Sequence, residues 1–129
     1  MRFLSIYMCP ERSTPPTPEE MARMGKLIEE SMKRGQLLST EGCMPTSLGA
    51  RVRLENGKHS VSDGPFTESK EVVGGFAILD APSKEAAIGY VKDFLDVVGV
   101  GTCEVRQLYD AYAPPQDVQQ QKPESVTAR

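Results

Sequence analysis

The sequence has neither an excess of positive charge nor a long apolar run, and each absence excludes a class of partner. The net charge is −3 at neutral pH, so no general electrostatic attraction draws the chain to nucleic-acid phosphates or to anionic lipid. No stretch approaches the roughly 18 apolar residues of a membrane span. The N-terminal segment reaches Cys9 and Pro10 without a small-residue cleavage site, which favours a first strand over a signal peptide. We therefore predict no nucleic-acid partner and no membrane partner.

Cysteine and histidine are also scarce. The chain has one histidine and three cysteines, Cys9, Cys43 and Cys103, and no CxxC pair. Without a secretory signal, an odd number of cysteines indicates a reducing compartment. We therefore predict a cytoplasmic protein in which all three thiols are small packing residues. A reactive thiol is the alternative, and Cys9, at the end of its strand, is the first to test.

The motifs that are typical of metal, cofactor and nucleophile sites are missing as well. The sequence has no zinc-ligand spacing, no glycine-rich phosphate loop, no dinucleotide fingerprint and no nucleophile elbow. We therefore predict neither a metal site nor a cofactor.

The residues that are present indicate one α+β domain. A chain of 129 residues is long enough for one hydrophobic core but not for two. Thr17 and Glu20 form a capping box at the start of a first helix that Gly35 ends, and Ser83 caps a second helix that Gly99 ends. The predicted strands cover residues 2–8, 36–39, 72–79 and 102–109, with a hairpin at 51–62.

The first helix carries a stripe that is rich in methionine. Apolar side chains fall on one side of it at Met21, Met24, Leu27, Ile28 and Met32. The stripe predicts a plain core face. An adaptable binding surface is the alternative, because methionine fills irregular spaces.

The hairpin at residues 51–62 has the strongest local signal. Asn56-Gly57 suits a two-residue type I′ turn, and this turn fixes which residues face each other across the two strands. Side chains then alternate between the two faces of the hairpin. One face carries Arg51, Arg53, Ser60 and Ser62, and the other carries Val52, Leu54, His59 and Val61.

The order of elements, β-α-β-hairpin-β-α-β, is the split βαβ pattern of a ferredoxin-like fold. Such a fold places both helices on one face of an antiparallel sheet. The strand at residues 72–79 is apolar at every position, which is typical of a strand covered on both faces. We therefore predict a homodimer in which two sheets pack face to face. We assign residues 1–111 to the domain and predict a disordered tail at 112–129, which is rich in Pro and Gln.

The segment after the hairpin carries a family signature. It runs Asp63-Gly64-Pro65-Phe66-Thr67-Glu68-Ser69-Lys70-Glu71 and continues to Gly75-Phe76. Together with Glu41-Gly42 upstream and Glu104-Val105-Arg106 near the end of the domain, it resembles the DGPF signature of the YCII-related family. The resemblance covers the chain up to about residue 110 and implies a dimeric α+β barrel, built from a ferredoxin-like βαββαβ fold with an inserted hairpin.

Some relatives in this family are similar to dechlorinating or lyase-type enzymes of aromatic breakdown, for which a His–Asp pair is proposed. Their histidine belongs near the first helix, where this chain has none. His59 lies four residues from Asp63, or about 13 Å along an extended strand. That gap far exceeds hydrogen-bond reach, so a His59–Asp63 dyad is excluded within one chain.

The signature region nevertheless supplies the candidate site residues. Asp63 either bonds backbone N–H groups of its own turn or faces a pocket as an acid, a base or a ligand contact. Glu68 and Lys70 either form a solvated connector or point into a shared cleft. Arg51 and Arg53 share a hairpin face that is either solvated or able to bind a carboxylate or a phosphate.

Two functions remain open for such a set of residues. The first is a dimeric small-molecule-binding module with a regulatory role and a small anionic ligand. The alternative is a lyase or dehydrohalogenase that acts on a small anionic or aromatic substrate, with Asp63 or Glu68 as the proton-transfer group. The candidate binding residues are Arg51, Arg53, Phe66 and Lys70. Phe66 is included because the Gly-Pro turn aims its ring inward, toward the core, a cavity or a subunit interface.

Overall fold

The structure is a computed structural model that describes residues 1–110. Its helices and strands follow the predicted order: β1 (Arg2–Cys9), α1 (Pro18–Lys33), β2 (Leu37–Gly42), β3 (Ala50–Glu55), β4 (Lys58–Asp63), β5 (Val72–Asp80), α2 (Lys84–Val98) and β6 (Thr102–Gln107), with a 3₁₀ turn at Thr46–Leu48. Over this range, no helix is long and apolar enough to cross a membrane. The tail predicted at 112–129 lies outside the described residues.

Four strands form an antiparallel sheet in the order β2-β5-β1-β6. In β1, Phe3 is opposite Leu79 of β5, and Ser5 is opposite Val105 of β6. Residues that are directly opposite share a face of the sheet, and this is the face on which both helices lie. The α+β class and the ferredoxin-like arrangement of strands and helices are confirmed.

The hydrophobic core lies between the sheet and α2. Its buried members are Phe3, Leu37, Leu79, Ala81, Ala87 and Val91. Phe3 is the largest fully buried side chain, with 1% of its surface exposed. Ala87 and Val91 are four residues apart and therefore lie on one side of α2. The core thus depends on one helix more than on the other.

Both helices begin where their capping residues predict. The Thr17 hydroxyl accepts a hydrogen bond from the Glu20 backbone N–H at 3.1 Å, and the Glu20 carboxylate accepts one from the Thr17 N–H at 2.8 Å. Ser83 accepts from a backbone N–H of the first turn of α2 at 3.1 Å. Gly99 ends α2 with a φ of 81°, a left-handed conformation that glycine adopts at little cost.

Helix α1 does not bury its methionine stripe. None of its side chains is fully buried, and Met21 and Met32 are 61% and 46% exposed. Met24, Leu27 and Ile28 are half-buried. The interpretation of the stripe as a plain core face is therefore wrong at both of its ends, although Ile28 packs against the core.

Strands β3 and β4 form a hairpin that is separate from the main sheet. Val52 is opposite Val61 and Leu54 is opposite His59, which confirms the predicted register. Both turn residues have positive φ, 53° at Asn56 and 78° at the following glycine, as a type I′ turn requires. No other helix or strand of residues 1–110 makes substantial contact with the hairpin.

Within the described part of the chain, the face of the main sheet away from the helices is uncovered, and we call it the open face. Register places a block of apolar side chains at its centre: Leu4, Ile6, Met8, Val73, Phe76 and Ile78. Polar side chains occupy its two edges, with Glu41 on β2 and Glu104 and Arg106 on β6. Val73 and Phe76 are 45% and 37% exposed. Residues 1–110 of a single chain therefore cover only one face of β5, although the apolar sequence of β5 predicts cover on both.

Candidate functional site

A cavity of about 370 Å³ lies between the two helices and the sheet. No side chain of α1, which forms one wall of this space, is fully buried. We call the space the helix–sheet cavity. Its volume falls within the range of about 300–1,000 Å³ that is usual for small-molecule sites.

The walls of the helix–sheet cavity are mostly apolar. Its apolar lining from the helices comprises Met24, Leu27, Ile28, Val91, Phe94 and Val98. Ser31, Gln36 and Tyr90 add hydrogen-bonding groups to the lining. Glu41 is the one charged residue among the lining residues of the described chain, but its position opposite Phe76 places its side chain on the open face. The side chains that face the cavity are therefore uncharged.

Tyr7 contributes its ring to the cavity wall and is fixed in place. Its hydroxyl donates a hydrogen bond to the backbone carbonyl of Val100 at 2.6 Å. Its ring packs edge to face on Phe94 at a centroid distance of 5.1 Å. Gly74 and Gly101 make room for the ring, because a Cβ at either position would overlap it. Burial raises the pKa of Tyr7 to about 12, so the phenol stays neutral at physiological pH.

Two of the three cysteines are shielded. Cys9 and Cys103 are half-buried and Cys43 is exposed. Desolvation by burial raises the pKa of both Cys9 and Cys103. Their thiols are therefore protonated at neutral pH, and a protonated thiol is a poor nucleophile. This environment favours packing thiols over a reactive Cys9.

We expect iodoacetamide at pH 7 to alkylate Cys43 about 10-fold faster than Cys9 or Cys103, because Cys43 is exposed and the other two are disfavoured as thiolates. Peptide mass spectrometry over a time course measures the three rates separately. Cys43→Ser is expected to remove the fast phase. A fast phase that persists in this variant would show that a shielded thiol is activated.

Four residues form a cluster at the base of the hairpin, and we call it the arginine cluster. Arg51 donates hydrogen bonds to the Glu68 carboxylate at 2.7 Å and to the Ser69 hydroxyl at 3.2 Å. The Arg51 guanidinium also lies 3.9 Å from the centre of the Phe66 ring, within cation–π range. The hydrogen bond from its own backbone N–H, and then the one from Arg51, hold the pKa of Glu68 below its usual value. A carboxylate with a lowered pKa stays ionised at neutral pH, so it has no proton to donate and accepts one only weakly. Glu68 is therefore poorly suited to proton transfer.

The other predicted residues do not join the arginine cluster. Asp63 is exposed at the end of β4, where it is opposite Ala50. Its side chain makes no hydrogen bond to residues 1–110, so the structure lends no support to the turn-capping interpretation. Arg53 and Lys70 are exposed. None of the predicted site residues lines the helix–sheet cavity.

Thr46 of the 3₁₀ turn holds the signature segment in place by a hydrogen bond. Its hydroxyl accepts a hydrogen bond from the Phe66 backbone N–H at 3.1 Å and donates one to the Glu11 carboxylate. Glu11 also accepts from the Thr46 backbone N–H at 3.2 Å. Gly64 lies against the same turn, and a Cβ there would overlap the Thr46 carbonyl group. The glycine of the signature is therefore required by a close approach of two backbone segments.

Residue chemistry alone did not locate the cavity, although two signals point toward it. One is the methionine stripe of α1, for which an adaptable surface is the alternative interpretation. The other is Gly74-Gly75 inside β5, since glycine within a strand often marks a close backbone approach. A Cβ at Gly75 would lie 2.6 Å from the Glu41 carbonyl oxygen.

The described residues include no group of three or more His, Cys, Asp or Glu side chains that could hold a metal ion.

The fold and the cavity define a ferredoxin-like α+β domain with an uncharged cavity between its helices and its sheet. The YCII-related domain model matches residues 1–111, and the chain belongs to this family. The chain is 33% identical over 89 residues to an uncharacterised protein of Rhizobium meliloti, a match that covers 68% of this chain and 72% of that protein.

A second relative is a putative GTPase of Pyrococcus abyssi. The chain is 31% identical to it over 103 residues, a match that covers 70% of this chain. The same match covers only 31% of the length of the archaeal protein.

Proposed function

We propose that this protein is a homodimeric binding module that takes a small, uncharged and largely apolar molecule into the helix–sheet cavity. The observation that carries the proposal is the cavity itself, at about 370 Å³ and with uncharged side chains on its walls. Apolar pockets with a few convergent polar groups are the usual form of small-molecule sites. Binding without turnover suits a regulatory role.

The chemistry of the walls supports an uncharged ligand over an anionic one. An anion enters an apolar cavity only at a large desolvation cost unless a cation or several donors meet it. The arginines that could meet it, Arg51 and Arg53, lie outside the cavity lining. Arg51 is also already paired with Glu68 at 2.7 Å. An anionic ligand would therefore bind on the hairpin, at the arginine cluster, and not in the cavity.

The lyase or dehydrohalogenase alternative is less well supported by the same geometry. It requires a proton-transfer group next to the bound substrate. Asp63 and Glu68 are both exposed and outside the cavity lining. We therefore propose binding as the function, and turnover of a cavity ligand would need a different group.

The open face supports the homodimer. It has an apolar centre on β1 and β5 and polar side chains on the edge strands. An apolar centre with a polar rim is the usual anatomy of a protein–protein interface. Two copies of such a face can pack against each other around a two-fold axis.

The cavity proposal is tested with a bulky substitution in α1 and a matched control on the same helix. Met24 lines the cavity, whereas Met21 is 61% exposed. We expect indole, used as an uncharged probe, to bind the unmodified protein and to bind Met24→Trp at least about 10-fold more weakly, because the new ring occupies the site. Met21→Trp should bind indole as the unmodified protein does. Titration calorimetry measures all three affinities.

The new tryptophan also reports where it lies, because the chain has no other. Blue-shifted emission from Met24→Trp, and not from Met21→Trp, shows that the ring has entered the cavity. Benzoate serves as the anionic probe. The proposal is wrong if indole binds the Met24→Trp variant with a buried ring as tightly as it binds the unmodified protein. It is equally wrong if benzoate binds the cavity more tightly than indole.

A further inference from the structure

The β3–β4 hairpin has one apolar face that no helix or strand of residues 1–110 covers. Val52, Leu54 and Val61 on this face are 67%, 64% and 64% exposed. Their register places Val52 opposite Val61, with Leu54 beside them, so they form one continuous patch. Three large apolar side chains that are this exposed and adjacent mark an interaction surface more often than a solvated one.

The opposite face of the hairpin is held by its own subunit. Arg51 at its base is paired with Glu68 and stacked on Phe66, and it is the only half-buried residue of the two strands. The polar face therefore anchors the base of the hairpin, and the apolar face is left to meet another molecule. A two-stranded hairpin by itself is only marginally stable in water, so contact with another molecule would also stabilise it.

We propose that this hairpin is an arm that packs the patch of Val52, Leu54 and Val61 onto a second copy of the chain, beside the paired open faces. The proposal rests on the homodimer proposed above and adds a second contact region to it. In a two-fold dimer, the arm of each subunit would pack on the other subunit, so the contact would occur twice.

The size of the open face supports a second copy as the occupant. Four strands at their usual spacing, with about six paired residues each, project onto about 400 Å² per subunit, or about 800 Å² for two faces. A stable interface buries about 1,600 Å² in total. Each arm has two six-residue strands and projects onto about 200 Å². Two arms, with the surfaces that they cover, add about 800 Å² and bring the interface to the usual size.

The test replaces the patch without weakening the strands. The triple variant Val52→Thr, Leu54→Thr and Val61→Thr keeps side chains that are common in strands but removes most of the apolar contact. The matched control changes the polar face, with Arg53→Ala, Ser60→Ala and Ser62→Ala. Analytical ultracentrifugation gives the dimer dissociation constant of each protein. Hydrogen exchange of the hairpin amides is measured at protein concentrations above and below the dissociation constant of the dimer.

We expect the dissociation constant to rise at least about 10-fold in the patch variant and to change less than about three-fold in the control. The hairpin amides should be more strongly protected in the dimer than in the monomer, where only the β3–β4 ladder protects them. The arm proposal alone is overturned if the patch variant dimerises as tightly as the unmodified protein and the hairpin amides are no better protected in the dimer than in the monomer. If the unmodified protein is monomeric, the homodimer proposal and the arm proposal are both wrong.

Discussion

Gly64→Ala is expected to lower the free energy of unfolding by about 3 kcal/mol or more. The methyl group would overlap the carbonyl oxygen and carbon of Thr46. Because these are backbone atoms, no rotation of a side chain relieves the overlap. The 3₁₀ turn or the signature segment must move, and either movement disturbs the hydrogen bond from the Phe66 N–H to the Thr46 hydroxyl. Chemical denaturation of the two proteins measures the difference.

Gly25→Ala and Gly89→Ala are the matched controls. Both glycines lie inside helices, and a Cβ at either position meets no atom within 4 Å. Alanine is preferred to glycine in a helix interior by roughly 0.5–1 kcal/mol, so each control is expected to stabilise the fold. The close contact at Thr46 would be disproved if Gly64→Ala were as stable as the unmodified protein.

The same geometry bears on the role of the DGPF segment. Gly64 fits against Thr46, and Phe66 accepts the Arg51 guanidinium on its ring while its N–H bonds Thr46. The Asp63 side chain is left exposed, with no side-chain partner among residues 1–110. The glycine and the phenylalanine are thus explained by the structure of the turn. Asp63 remains a candidate for contact with a ligand or with another subunit.

The elements that the sequence predicts well are those that depend on neighbouring residues. The hairpin register follows from one Asn-Gly turn, since a two-residue loop leaves a single pairing of Val52 with Val61. The start of α1 follows from Thr17 and Glu20, which bond each other's backbone within one turn. In both cases the determining contacts lie within a few residues along the chain.

The candidate site could not be predicted in the same way. Whether Met24 touches the sheet or lines a cavity depends on how far α1 lies from strands that are distant in sequence, and periodicity reports only which side of the helix is apolar. The charged residues of the hairpin and of the signature predict Arg51 and Glu68 as site residues. In the structure these two bond each other. The cavity is lined by apolar side chains whose pattern in the sequence is the same as that of an ordinary core.

Phe76→Lys is expected to convert the proposed homodimer into a monomer, with at least about a 100-fold rise in the dissociation constant. Phe76 is 37% exposed at the centre of the open face in a single chain, so the monomer can keep a lysine there in water. In the dimer the apolar centre of the interface would lose two aromatic rings and would take up two ammonium groups. Glu41, opposite Phe76 on the edge strand, can pair with the ammonium group but cannot restore the lost apolar contact. Light scattering across a concentration series measures the change.

Met21→Lys provides the control for the added charge. Met21 is 61% exposed on α1, on the other side of the sheet from the open face, and the substitution changes the net charge by the same amount. We expect Met21→Lys to remain dimeric, with a dissociation constant within about three-fold of the unmodified value. Circular dichroism should show both variants folded, because neither site lies in the buried core around Phe3. A Phe76→Lys protein that stays dimeric would show that the subunits associate through a surface other than the open face.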